Sequence, residues 1–126
     1  MKMLIVDDEP LILMDLEFAA EDAGIESVSA TNIARAIELI ENAQPDCAIL
    51  DVSLLNGETC LPIARTLDEQ GVPYVIHSGD LDRQNERIRS LDVPRIAKPC
   101  SADAVVQRAL KHCREMHDRA QPTAAE

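Results

Sequence analysis

Three carboxylates, a hydroxyl and an ammonium each close an apolar run in this chain, and together they are the parts of a phosphoryl-transfer site. Met3-Leu4-Ile5-Val6 ends on Asp7-Asp8, and Cys47-Ala48-Ile49-Leu50 ends on Asp51. Val72 to His77 ends on Ser78, and Arg95-Ile96-Ala97 ends on Lys98-Pro99. Asp7 and Asp8 offer hard oxygen donors, the kind that Mg²⁺ takes one or two at a time alongside phosphate and water. Asp51 supplies the acid that an adjacent pair lacks. A carboxylate can attack phosphorus to form an acyl phosphate, and a cation offsets the repulsion between the two anions. The Ser78 hydroxyl can hydrogen-bond a phosphoryl oxygen, and Gly79 lets the backbone approach closely. Lys98 can pair with the phosphoryl group as a point charge. Taken singly, each has an ordinary structural explanation: a solvated acidic turn, a Ser-Gly turn, a surface lysine. The ordered set, each member at the end of its own apolar run, is what is specific.

The elements that must position these residues alternate along the chain. Met3–Val6 is continuously apolar, as suits a strand covered on both faces. Pro10–Ala23 carries Ile12, Leu16, Ala19 and Ala23 at helical spacing and stops at Gly24. Ile25–Ser29 is a weak second strand. Thr31 or Asn32 caps a helix whose apolar face is Ile33, Ala36, Ile37 and Ile40, ended by Gln44-Pro45. Asp46–Asp51 is the third strand, Leu54–Glu58 a loop, and Thr59–Gln70 a helix with Cys60, Ile63, Ala64 and Leu67 inward. Val72–His77, an exposed helix over Asp82–Leu91, a short strand Arg95–Lys98 and a final helix capped by Ser101 complete the series. The final helix aligns Ala102, Val106, Ala109, Cys113 and Met116. Five strands alternating with five helices predict an α/β fold, a three-layer α/β/α domain around a five-stranded parallel sheet. The expected domain covers 1–118, and residues 119–126 form a tail expected to be disordered.

With 126 residues the chain has material for one compact domain. A net charge of −11 argues against nonspecific nucleic acid or anionic lipid partners, both polyanions. Cys47, Cys60, Cys100 and Cys113 form no CxxC pair and read as reduced thiols. With no basic-then-apolar leader and no membrane-length apolar run, a cytoplasmic location is expected. His77 reads as a packed or partly exposed strand residue rather than a phosphoryl carrier, and His112 and His117 as surface residues.

On these motifs the chain resembles the receiver domain of two-component response regulators, from Met1 to about His117. The resemblance implies strand order 2-1-3-4-5, the flavodoxin-like arrangement. It implies that Asp51 is the phosphoacceptor, served by a histidine kinase or a histidine phosphotransfer protein. Asp8, Asp51 and the main-chain carbonyl of Ser53 would hold Mg²⁺, with Asp7 acting through water. Ser78 would swing toward the phosphoryl group, Lys98 would pair with it, and Ser53 and Asp80 would tune its hydrolysis. The chain would then be a stand-alone phosphoacceptor signalling protein rather than an enzyme, acting on an unidentified downstream protein. No DNA or membrane partner is expected, and the 81–118 surface is a candidate homodimer interface.

Three features depart from common receivers. The loop from Asp51 to Gly57 is short and lacks a proline. Arg95 stands where an aromatic switch residue is usual. Pro73-Tyr74-Val75-Ile76-His77-Ser78-Gly79-Asp80 resembles the P-F-x-F-A-T-G-Y stretch of an alphaproteobacterial receiver subgroup, with Asp80 in place of the last Tyr. Two alternatives stand beside this reading. A small phosphatase with an aspartyl-phosphate intermediate, of the haloacid-dehalogenase type, would need a second Asp where Ser53 stands. A phosphorylation-independent interaction module on the same fold is favoured only by Arg95.

Overall fold

The computed structural model describes residues 1–52, 59–79 and 91–120. Five parallel strands stand in the order β2-β1-β3-β4-β5. They are β1 (Lys2–Val6), β2 (Glu26–Ala30), β3 (Cys47–Leu50), β4 (Tyr74–Ser78) and β5 (Arg95–Ala97). The helices among the described residues are α1 (Pro10–Asp22), α2 (Ile33–Ala43), α3 (Leu61–Glu69) and α4 (Ala102–Ala120). The helix expected over Asp82–Leu91 lies, except for Leu91, outside the described residues, as do the loop Leu54–Glu58 and the tail from Gln121. No helix among the described residues is long and apolar enough to cross a membrane.

Side-chain alternation along the strands splits the core in two. Leu4, Val6, Ala48, Leu50, Tyr74 and Ile76 face α2 and α3 and pack with Ala36, Ile40, Ile63 and Leu67. Met3, Ile5, Cys47, Ile49, Val75 and Ile96 face α1 and α4 and pack with Leu16, Ala20, Val106 and Leu110. Every residue of β3 is buried, which is why its sequence carries no polar alternation. Each buried Leu or Ile stabilises the fold by roughly 1.5–3 kcal/mol relative to exposure.

The ends of the elements have identifiable causes. Pro10 opens α1, where its missing N–H costs nothing. Asn32 rather than Thr31 caps α2: its Oδ1 accepts from the Arg35 N–H at 2.8 Å. Ser101 Oγ accepts from the Ala104 N–H at 3.2 Å at the head of α4. Gly71 turns the chain from α3 toward β4 with φ 69°, a conformation that L side chains resist.

Several boundaries differ from expectation. β2 starts at Glu26 because the Ile25 N–H still donates to Ala20 O at 2.9 Å, closing α1. β3 is two residues shorter than Asp46–Asp51: Asp46 turns out to accept from the Lys2 N–H at 2.8 Å, and Asp51 stands just past the last strand residue. β4 runs Tyr74–Ser78 rather than Val72–His77, since Pro73 has no N–H for the ladder. α3 begins at Leu61, after Cys60, and ends at Glu69. Ala23 is exposed and Ala20 takes its place inside, because Ala23 already lies in the non-helical cap. Leu39 is an additional buried residue of α2. Met116 is exposed: α4 has 19 residues, about 28 Å of helix, and overhangs a sheet whose strands have 3 to 5 residues.

All four cysteines are free, Cys47, Cys60 and Cys113 being buried and Cys100 half-buried. Asn32→Ala removes the α2 cap and should lower stability by about 1 kcal/mol, about 4 °C in Tm for a domain of this size, with an unchanged m-value in urea unfolding.

Candidate functional site

β1 and β3 are neighbours, with β2 on one flank and β4 on the other, so the chain leaves them toward opposite sides of the sheet. A crevice opens above the carboxyl ends at such a reversal. Backbone bonds set the strand ends that border it. The Asp51 N–H donates to Val6 O at 2.9 Å, the Asp7 N–H to Ala30 O at 3.2 Å, and the Lys98 N–H to Ser78 O at 2.9 Å. Residues far apart in sequence are thereby held at one level.

At that level Asp7, Asp8 and Asp51 converge, each offering a carboxylate oxygen, with the three within 4.8 Å of one another. Asp7 and Asp51 are buried and Asp8 half-buried. Lys98 Nζ lies 3.1 Å from Asp7 Oδ2, 3.7 Å from Asp51 Oδ1 and 3.6 Å from Glu9 Oε1. Asp7 Oδ1 accepts from the Glu9 N–H at 2.9 Å, which orients the carboxylate from its other side. The Lys98–Pro99 peptide is cis. A Cβ placed on Gly79 would sit 3.8 Å from Lys98 Cβ, so this glycine lies directly beside the lysine stem.

Charge at the site is unbalanced: among the described residues four carboxylates meet one ammonium. Burial first, then the Asp7 carboxylate, push Asp51 up to about 7, against the pull of Lys98 in the other direction. Burial alone would lower the Lys98 pKa, but Asp51, Asp7 and Glu9 outweigh it and raise the pKa. A divalent cation fits this donor set. The oxygens are hard ligands, clustered, and in excess of the available positive charge. Asp8 and Asp51, with Asp7, are the described residues that could hold it.

The expected site residues fall into place unevenly. Asp7, Asp8, Asp51 and Lys98 come together. Ser78 is buried as the last residue of β4. Alternation turns its side chain toward the α2–α3 face, opposite His77. Arg95 is exposed on the edge strand, and its Nη2 donates to Leu91 O at 3.3 Å. Ser53 and Asp80 lie outside the described residues, as does part of the 81–118 surface. Glu9 is a site residue that the sequence reading missed; the signal was the unbroken acidic run Asp7-Asp8-Glu9. His77 is more deeply buried than expected, and burial together with Lys98 lowers its pKa to about 4.

Comparison with known proteins agrees with this architecture. The family model described as "Response regulator receiver domain" matches residues 3–110. An uncharacterized response regulatory protein of Yersinia pestis is 31% identical over 87% of this chain and 52% of its own length. A protein-glutamate methylesterase/protein-glutamine glutaminase of Geobacter metallireducens is 32% identical over 66% of this chain and 24% of its own length. The chain thus spans about half or less of these curated relatives. Among solved structures, SdrG from Sphingomonas melonis Fr1 is 36% identical, with 90% of this chain and 95% of that chain covered and a TM-score of 0.75. A response regulator receiver protein from Sinorhizobium medicae shares the fold at 23% identity and a TM-score of 0.80, over 91% and 95% of the two chains. A switch-point crevice lined by three acids and a lysine, and a family match across nearly all of the described sheet and helices, lead to one conclusion: the chain belongs to the response regulator receiver domain family.

Proposed function

We propose that this receiver is a stand-alone phosphorylation switch, in which Asp51 accepts a phosphoryl group from a histidine kinase or a histidine phosphotransfer protein. The observation that carries this reading is the clustering of three carboxylate oxygens within 4.8 Å beside the Lys98 ammonium. An Asp51 oxygen attacks phosphorus, the P–N bond to the donor imidazole breaks with its electron pair returning to nitrogen, and an acyl phosphate forms. Asp8, Asp51 and the Ser53 carbonyl, with Asp7 acting through water, would hold Mg²⁺, which would supply charge neutralisation between the two anions. Lys98, already 3.7 Å from Asp51, pairs with the transferred group. Ser78 turns its hydroxyl toward it, and Ser53 and Asp80 govern water access. The changes at Ser78 and Lys98 shift the population between two surface states that a downstream protein reads. The domain extends over 1–118 in this reading. The Pro73–Asp80 stretch supports membership of the subgroup with the P-F-x-F-A-T-G-Y motif.

A protein donor is supported by an exposed apolar stripe. Leu11, Met14 and Phe18 are exposed at 75%, 47% and 59% and recur at helical spacing on α1, which begins right after the acidic run. In this reading the stripe is the surface on which the donor protein docks. Arg95, in place of an aromatic switch, is the one observation favouring a phosphorylation-independent module, and the same assay separates the two.

Intact-mass measurement after incubation with acetyl phosphate should show a gain of one phosphoryl group that needs Mg²⁺ and is lost in Asp51→Asn. No gain from acetyl phosphate or from a phosphohistidine protein, with the chain folded, would refute the switch. Phe18→Asp should slow transfer from a phosphohistidine protein at least tenfold and leave the acetyl phosphate rate unchanged; equal slowing of both would remove α1 from donor docking. Asp51 also leaves a mark on stability. Its folded pKa of about 7 lies above the ordinary 3.8, so its stabilising contribution is full below pH 4 and is lost as pH rises to 7. In EDTA, Asp51→Asn should therefore be more stable than the parent by up to about 4 kcal/mol at pH 8 and about 2 kcal/mol at pH 5, read from urea unfolding. A gain independent of pH would contradict this account of the charge balance.

A further inference from the structure

We propose that the exposed face of α1 docks a protein surface that is apolar along its centre and carries Lys or Arg on both sides. The proposal rests on the reading of Asp51 as acceptor from a phosphohistidine protein, and it names the chemistry by which that donor is recognised. Phe18 is the chain's only Phe, and with no Trp and one buried Tyr it is the only aromatic side chain turned outward. It follows Leu11 by seven residues and Met14 by four, so the three exposed side chains form one strip along the helix. Aromatic residues and Met are the types in which the centres of protein interfaces are enriched.

The acids of α1 define the charge of the partner. The helix carries Asp15, Glu17, Glu21 and Asp22 and no basic residue. Asp15 follows Leu11 by four residues and Asp22 follows Phe18 by four, which sets both along one edge of the strip. Glu21 follows Met14 by seven and stands on the other edge. All three are exposed. The ion pairs among the described residues join other groups: Lys2 to Glu26, Arg35 to Glu38, and Lys98 to the acids of the crevice. Glu17 is already engaged, accepting from Ser29 Oγ at 3.0 Å. Glu21 and Asp22 also stand in the last turn of α1, the negative end of the helix dipole, where a base is favoured and an acid is not. That unfavourable placement is offset when a partner brings Lys or Arg against them.

The same charges exclude other occupants. Nucleic acid and anionic lipid are polyanions. A second copy laid α1 against α1 would set like carboxylates against each other. A basic protein surface satisfies the strip and both edges together, and a chain of net charge −11 steers it in. The helix also leads to the crevice. α1 starts at Pro10, directly after Asp7-Asp8-Glu9, and at about 1.5 Å per residue Phe18 lies about 12 Å along it. A partner covering Leu11 to Phe18 therefore borders the acid cluster.

The test is an NMR titration of the full chain with three helix-stapled peptides that share one leucine strip and differ only in flanking it with Lys, Gln or Glu. The lysine peptide should give saturable shifts at the Leu11 and Met14 methyls and the Phe18 ring. It should bind at least about threefold more tightly than the glutamine peptide, as two or three exposed charge pairs allow, and weaken toward it at about 0.15 M salt. The glutamate peptide should give no saturable shift. Glu21→Lys with Asp22→Lys should reverse the order of the lysine and glutamate peptides, with an equal or higher thermal midpoint because the dipole now favours the new charges. The lysine peptide should slow transfer from a phosphohistidine protein and leave labelling by acetyl phosphate unchanged. Failure of acetyl phosphate and of every phosphohistidine protein to label Asp51 strikes the donor reading, whereas the peptide titration decides the surface, so the two failures are distinguishable. Four outcomes would overturn the proposal: no saturable shift on α1, equal binding of the three peptides, lysine-peptide shifts confined to Asp7, Asp8 and Asp51 and removed by Mg²⁺, or a lower midpoint in the double variant. Self-association in light scattering that the double variant loses would assign the face to a second copy instead, and would also overturn it.

Discussion

The excess of buried negative charge at the carboxyl edge of the sheet governs the rest of this structure. Asp7 and Asp51 are placed beside each other because β1 and β3 are hydrogen-bonded neighbours, and neither can move away without breaking the ladder. Their mutual repulsion is met in part by Lys98, which reaches them from the edge of the sheet, 91 residues from Asp7 in sequence. Among the described residues one ammonium does not balance four carboxylates, and burial first, then this imbalance, raises the pKa of Asp51. A site in this condition draws added positive charge and responds when more negative charge arrives. Both properties follow from geometry that the apolar core enforces.

The core, in turn, is arranged to leave this edge polar. Two apolar clusters sandwich the sheet and share no residue, and each is closed by its own pair of helices. The three inner strands, β1, β3 and β4, are buried along nearly all of their length and end at polar residues. Backbone hydrogen bonds at Asp7, Asp51 and Lys98 keep the charged side chains close despite their repulsion.

Much of this was legible in the sequence because the controlling signals are local. The apolar runs before Asp7, Asp51, Ser78 and Lys98 are strands in the structure, and the caps at Asn32 and Ser101 act as their residue types suggest. What escaped was decided by tertiary partners. Glu9 joins the site only because Lys98 arrives from another strand. Met116 is exposed because its helix outruns the strands it packs on, a relation no single segment contains. His77 looks like any strand residue until the elements around it show that none of the described residues supplies a partner.

The sequence distance between Lys98 and Asp7 bears on the order of events during synthesis. A ribosome that has released the first half of this chain has delivered Asp7, Asp8 and Asp51 but not the strand that carries their counter-charge. Parallel pairing of distant segments is slow to form, since loop closure must precede the contacts that reward it. The acidic crevice is therefore finished late, after β5 has docked on the edge of the sheet. A nascent or misfolded molecule presents its acids without the lysine, so chemical competence at the strand ends coincides with completion of the fold.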